Sequence, residues 1–248
     1  MGTVCHTLIE CLKMIKGWSA KSPKHVPIAN MIEFKTAGDD MAYLGGATPI
    51  KWNTSELMAS LDAEFRSVFS TKELITPDDL RRDNLTLEQS VLKYGWPELE
   101  SARGRVLFLM DNTGEVHDTY VKDRPSAEGR VIFPNSSPGN PDCAFQKLNN
   151  PLGENLANIQ EQVRKNYWVR TRADEPIVTV TSNDTTVMRD AAFASGAQIV
   201  STDFQGWGMA ARYGVDYVVT LPGGAAVICN PINAPEGCDK LVLENLKK

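Results

Sequence analysis

The second half of this chain alternates short apolar runs with helical patterns, and that order leaves few ways to fold. A run at residues 130–133 is followed by an amphipathic stretch at 155–166. Then come Trp168–Arg172, a second helical stretch at 183–194 and an apolar run at 198–202. Strands separated by helices cannot pair through tight hairpins, so the expected sheet is parallel. Two earlier runs read as buried strands, Ile-Ala-Asn-Met-Ile-Glu-Phe at 28–34 and Arg-Val-Leu-Phe-Leu-Met at 105–110, and residues 217–221 add a candidate extra strand. Most of these runs end in a polar or charged residue, among them Glu33, Asp111 and Asp203. That arrangement suits an α/β fold of the TIM-barrel type, whose chemistry sits where the strands end. An eight-stranded barrel needs about 250 residues. Long connections consume the length here, and only five runs read as convincing strands in a chain of 248 residues. Because a helix opens the chain with no strand before it, the expected shortfall lies at the N-terminus, and residues 1–248 read as one partial barrel domain.

The opening helix is expected from Thr3 to Ala20, where Val4, Leu8, Cys11, Leu12, Ile15 and Trp18 recur mostly three or four apart. Pro23 and Pro27 end it. Ser55 is the expected N-cap of a helix carrying Leu57, Leu61, Phe65 and Val68. Thr86 caps another, with Gln89 completing a capping box. The net charge of -5, with no long run of Lys or Arg, argues against a nucleic-acid partner. No stretch of about 18 apolar residues is present, and Met1 to His6 lack a signal-peptide pattern.

Cys5 and Cys11, and Cys229 and Cys238, form two close pairs and leave Cys143 over. The second pair brackets a Pro- and Gly-containing loop, where a small covalent ring closes easily, and a disulfide is expected there. Neither pair has the spacing of a zinc knuckle. Paired cysteines without a signal peptide imply either a reducing compartment or a start that lies upstream.

Two segments carry a resemblance, Trp-Val-Arg-Thr-Arg-Ala-Asp at 168–174 and Ala-Ser-Gly-Ala-Gln-Ile-Val-Ser-Thr-Asp-Phe at 194–204. With Ile-Thr-Pro-Asp-Asp at 75–79, Gly-Trp-Pro-Glu-Leu at 95–99, Arg-Gly-Arg-Val-Leu-Phe-Leu at 103–109 and the Cys-Asn-Pro loop from Cys229, they resemble the calcium-dependent phosphoinositide-specific phospholipase C family. The resemblance implies a phosphodiesterase barrel, usually secreted, that uses one Ca2+ ion and two histidines to cleave a phosphoinositide through a cyclic phosphate. It also implies a histidine in a Thr-His-Asn-Ser-Tyr-like stretch after the first strand, acidic metal ligands after the second, and a second histidine after the third. None of these has a counterpart here, so the chain reads as starting just beyond the third strand. Either it is a fragment of an active enzyme, or it is a shortened relative that binds without catalysing. A glycerophosphodiester-cleaving barrel is a further alternative with the same metal logic.

Within that resemblance Glu33 is a candidate oxygen ligand for calcium and Lys35 a charge against phosphate. The bland alternative is a buried ion pair between the two, inside the top of the barrel. Arg170 and Arg172 alternate along one strand and face one side; either could hold a phosphate or an inositol hydroxyl, with Asp174 orienting the guanidinium. An Arg–Asp brace is the competing reading. Asp203, at the end of the next strand, is a substrate-binding candidate with the same competing reading, and Asp111 is a weaker one. His6 in the opening helix, His25 between prolines and His117 in a polar loop are each expected to be solvated rather than catalytic. Trp207, between Gly206 and Gly208, could form a lip at the site mouth or touch a membrane surface.

Overall fold

The computed structural model describes residues 4–35, 51–182, 185–239 and 243. The chain divides into two compact units, Met1–Ala144 and Phe145–Lys248. Each carries a small, wholly parallel three-stranded sheet, ordered β1-β2-β3 in the first and β4-β5-β6 in the second.

In the first unit the chain opens with α1 (Leu8–Lys21), capped by Thr7, whose side chain accepts from the Glu10 amide in a capping box. The helix starts later than the periodicity suggests, and Val4 lies outside it, exposed to solvent. The capping box is the stronger local signal, because it satisfies amides that would otherwise be orphaned. Next come β1 (Ile28–Ile32), α2 (Ser55–Val68), α3 (Pro77–Leu80), α4 (Leu87–Tyr94), α5 (Leu99–Ala102), β2 (Val106–Met110), α6 (Glu115–Val121) and β3 (Ile132–Phe133). Thr54 rather than Ser55 caps α2, accepting from the Leu57 amide, while Ser55 donates to Asp123. The Thr86–Gln89 box on α4 is as expected.

β2 is fully buried between its two neighbours, with Ile28 opposite Val106 and Ile32 opposite Met110 on one side and Phe108 opposite Ile132 on the other. Alternate residues point to opposite faces of a sheet. Val106, Phe108 and Met110 share a core with Leu12, Met58, Leu61 and Phe65 of the covering helices, so Leu107 and Leu109 face the other way. Two of the motif segments meet at the N-terminal end of this sheet. Leu74 bridges Val106, and the Arg105 guanidinium reaches the Leu74 carbonyl and the Asp79 carboxylate. Gly104 between the two arginines sits at φ 73°, and a Cβ there would lie 2.5 Å from the Pro23 carbonyl oxygen. The Ile-Thr-Pro-Asp-Asp and Arg-Gly-Arg motifs are therefore architectural.

The second unit runs β4 (Phe145–Lys147), α7 (Glu154–Arg164), β5 (Trp168–Arg172), α8 (Val178–Thr181), α9 (Val187–Ala194) and β6 (Ile199–Ser201). Asn183, the expected start of the last helix, lies outside the described residues. Two expectations are corrected. β4 was not expected, because three residues reading Phe-Gln-Lys show no period; only the ladder to β5 makes them a strand. Residues 217–221 are not a strand. Tyr217, Val218 and Val219 are buried, and the Val219 amide donates to the Phe204 carbonyl, so the run is a core-filling segment.

Cys229 and Cys238 form the expected disulfide, and Cys5 bonds Cys11, while Cys143 is free and buried. The ring from Cys229 to Cys238 is pinned within its unit, since Asn230 donates to the Gly196 carbonyl just beyond α9 and Asn233 to the Val163 carbonyl on α7. Peptide mapping of oxidised protein is expected to recover Cys229 and Cys238 in one disulfide-linked fragment, and reduction should cost about 2–3 kcal/mol of stability. Finding both thiols free in secreted material would overturn the assignment.

Candidate functional site

The sheet of the second unit has two chemically distinct faces. Gln146 on β4 donates to Gln162 on α7, and its register partner Val169 is fully buried, so this face carries the helices. Lys147, Arg170 and Arg172 lie on the opposite face. Lys147 sits directly across from Arg170, and Arg172 directly across from Ser201. Neighbouring strands are about 4.8 Å apart and residues i and i+2 about 6.6 Å, so the three cations fall within a patch that one phosphate or a sugar phosphate can span. Arg170 donates to the Asn149 side chain and Arg172 to Glu175. Both guanidiniums are half-buried and held in place by neighbours. The Arg172 Nε is buried without a hydrogen-bond partner.

Asp174 does not brace either arginine. Its carboxylate is 1 % exposed and accepts from the Thr202 hydroxyl, the Asp203 amide at 3.0 Å and the Tyr217 hydroxyl at 3.3 Å. Burial, with the Asp174 charge beside it, pushes the Tyr217 hydroxyl pKa up and keeps it a donor. Asp174 thus ties the β6 exit to the β5 end, and the Asp203 side chain is left exposed at the tip. The start of α8 and the turn after β6 expose Ile177, Val178, Trp207 and Met209.

In the first unit the same alternation carries past the strand ends. Phe34 lies in the helix-side core, so Glu33 and Lys35 project from the opposite face, where Asp111 also follows Met110. Asn112 grips the Phe34 backbone from both sides, accepting from its amide at 2.7 Å and donating to its carbonyl at 2.9 Å. Asn135 donates to the Asp111 carbonyl. The Glu33 carboxylate meets the Lys35 ammonium at 2.5 Å on an exposed surface. This is the ion-pair alternative, formed at the rim rather than in the interior.

The histidines depart from expectation. His117 is on α6, not in a loop, and its side chain is only 13 % exposed between Asp118 and Asp142. His25 contacts the Ser19 hydroxyl and the Val26 carbonyl, and only His6, just ahead of α1, is exposed.

A sequence model described as "Phosphoinositide phospholipase C, Ca2+-dependent" matches residues 1–231. The chain belongs to that family. Solved structures of such phospholipases are similar in fold. One from Streptomyces antibioticus shares 18 % identity over 80 % of this chain and 70 % of its own, with a TM-score of 0.54. Two from a Pseudomonas species, one in apo form and one described as a myoinositol complex, share 17 % and 16 % identity, with TM-scores of 0.52 and 0.53. They are covered over 64 % and 66 % of their length, by 79 % and 81 % of this chain. The chain thus spans about two thirds of the Pseudomonas structures it matches. No curated protein matches.

For a calcium-dependent phospholipase C the donor set matters. Calcium takes roughly six to eight oxygen ligands. Among the described residues no three His, Cys, Asp or Glu converge, and the two carboxylates at this sheet end, Glu33 and Asp111, are an incomplete set. Lys147 is the member of this cationic face that periodicity missed. Its signal was the single cation at the end of a short run after a buried Cys-Ala pair, too short to show alternation.

Proposed function

We propose that the chain recognises the phosphodiester of a phosphoinositide on a TIM-barrel-type phospholipase C fold, as one domain. Lys147, Arg170 and Arg172 would contact the phosphate and Asp203 the inositol ring. The observation that carries this reading is the cationic face of the β4-β5-β6 sheet, directed away from the helices. Arginine forks suit phosphate oxygens, and their partners Asn149 and Glu175 pre-orient them. Within the first unit Glu33 would supply one oxygen to calcium, exchanging its contact with Lys35. Exposed Ile177, Val178, Trp207 and Met209 support a rim that meets a lipid surface. No helix among the described residues is long and apolar enough to cross a membrane. Two disulfides support maturation in an oxidising compartment, in keeping with secretion.

Binding without turnover is the second reading, and the histidines favour it. Both ring nitrogens of His117 and of His25 are engaged, so neither is free to exchange a proton with an inositol hydroxyl or a leaving group. The expected result is that the 248-residue chain turns over phosphatidylinositol no faster than its Glu33→Ala variant, with calcium present. Titration with inositol 1-phosphate should nevertheless show saturable binding, weakened about 10–100-fold in Arg170→Ala/Arg172→Ala, given about 1.5–3 kcal/mol for a hydrogen bond to a charged group. Equal affinity in that variant would remove the cationic face from the site, and turnover above the Glu33→Ala control would establish catalysis.

A further inference from the structure

We propose that His117 is a pH-sensitive latch holding the loop of residues 134–144 against α6, closed when the imidazole is protonated and released when it is neutral. The two ring nitrogens face two carboxylates, Nδ1 at 2.9 Å from an Asp118 oxygen and Nε2 at 2.9 Å from an Asp142 oxygen. A neutral imidazole has one N–H and must turn a lone pair toward one of them. Only the imidazolium donates to both. The arrangement is enclosed, because the Asp142 side chain is 4 % exposed and its other oxygen accepts from the Ser136 hydroxyl at 3.2 Å. Loss of the proton therefore sets a lone pair against a buried carboxylate, and that repulsion is relieved when the loop parts from the helix.

The other titratable groups around the loop leave this sense unchanged. From α4, Glu88 accepts from the Gly139 amide and its own amide donates to the Pro141 carbonyl, so it fastens the loop at a second point. Cys143 follows Asp142, and its thiol reaches the Ser136 carbonyl at 3.4 Å; burial, reinforced by Glu88 and Asp142, pushes its pKa up and keeps it neutral. The hydrogen bond to Asp142 raises the His117 pKa above the ordinary histidine value, against opposing burial, with Asp118 acting in the same sense as Asp142. A group whose pKa is raised by folding contributes its stabilisation in full below the unfolded value, about 6.5, and loses it as pH rises through the folded value. The latch thus closes in acid and opens toward alkali. At its near end the loop carries Asn135, which holds the Asp111 carbonyl, so opening reaches the strand ends beside Glu33.

Cys143 reports on the latch. It is the free cysteine of the five, buried in the loop, and both disulfides lie elsewhere. A thiol reagent such as a dithiobis-nitrobenzoate is applied to the folded wild type and to His117→Gln, whose amide copies a neutral imidazole in offering donors to only one carboxylate at a time. Taking the ratio of the two rates at each pH cancels the reagent's own dependence on thiolate. At about pH 6 the variant is expected to label at least about tenfold faster, and by about pH 9 the ratio should fall to about one. A ratio near one at pH 6, or one that does not change with pH, overturns the latch. If His117→Gln does not fold, the proton NMR titration of His117 in the wild type decides. A midpoint above about 6.5 supports the latch and one at or below it overturns it.

Discussion

Replacing Asp62 with alanine is expected to remove about 3–5 kcal/mol from the stability of the first unit, the scale for breaking one partner out of a buried ion pair. Asp62 lies on α2, and one carboxylate oxygen accepts from the Tyr120 hydroxyl at 2.6 Å and the Val131 amide at 3.0 Å. The other accepts from Arg130 at 3.0 Å, and the two side chains of this pair are 8 % and 3 % exposed. The Arg130 guanidinium also stacks on the Tyr120 ring, 4.5 Å from its centre. Burial and then the Asp62 charge drive the Tyr120 pKa upward, so its hydroxyl remains a donor to Asp62. Without the carboxylate, Arg130 becomes a buried charge without a counter-ion, its Nε already lacking a partner, and the backbone entering β3 loses an anchor. Denaturant unfolding measures the loss. The double variant Asp62→Ala/Arg130→Met should recover part of it, because the uncompensated charge is then gone. A loss below about 1 kcal/mol in the single variant would show that the pair is not closed off from solvent.

Asp174→Ala is expected to cost about 3 kcal/mol or more and to displace the Asp203 loop, whereas Asp203→Ala should change stability by less than about 0.5 kcal/mol. The contrast follows from burial. Asp174 gathers three donors where water does not reach, and truncating it strands the Thr202 hydroxyl, the Asp203 amide and the Tyr217 hydroxyl. Asp203 exposes its own carboxylate and contributes only its backbone to that cluster. Any loss of inositol-phosphate binding in Asp203→Ala is then a direct contact, while a loss in Asp174→Ala accompanies a lowered melting temperature. Equal stability costs in the two variants would mean that Asp174 does not hold the loop.

Local patterns in the residues settled a good part of this protein. The two-residue alternation through Trp168–Arg172 placed Arg170 and Arg172 on one face, and Thr86 with Gln89 marked a helix start. The Pro- and Gly-containing segment between Cys229 and Cys238 foretold their bond, and the motif residues pointed to the family. In the alternation, the cap and the ring, the interacting groups lie within one strand, one helical turn or one short loop, so spacing alone brings them together. What tertiary structure decided involves partners far apart in the chain. Lys147 joined the cationic face because β5 supplied the ladder that Phe-Gln-Lys could not announce. Asp174 found Thr202 and Tyr217, 28 and 43 residues away, instead of its neighbour Arg172, which turned to Glu175. His117 left the solvent for Asp142, 25 residues on, and Asp62 met Arg130 across 68. No periodicity encodes such pairings, because they depend on where the backbone carries each side chain, and a buried polar group takes whichever partner the fold brings within hydrogen-bonding reach.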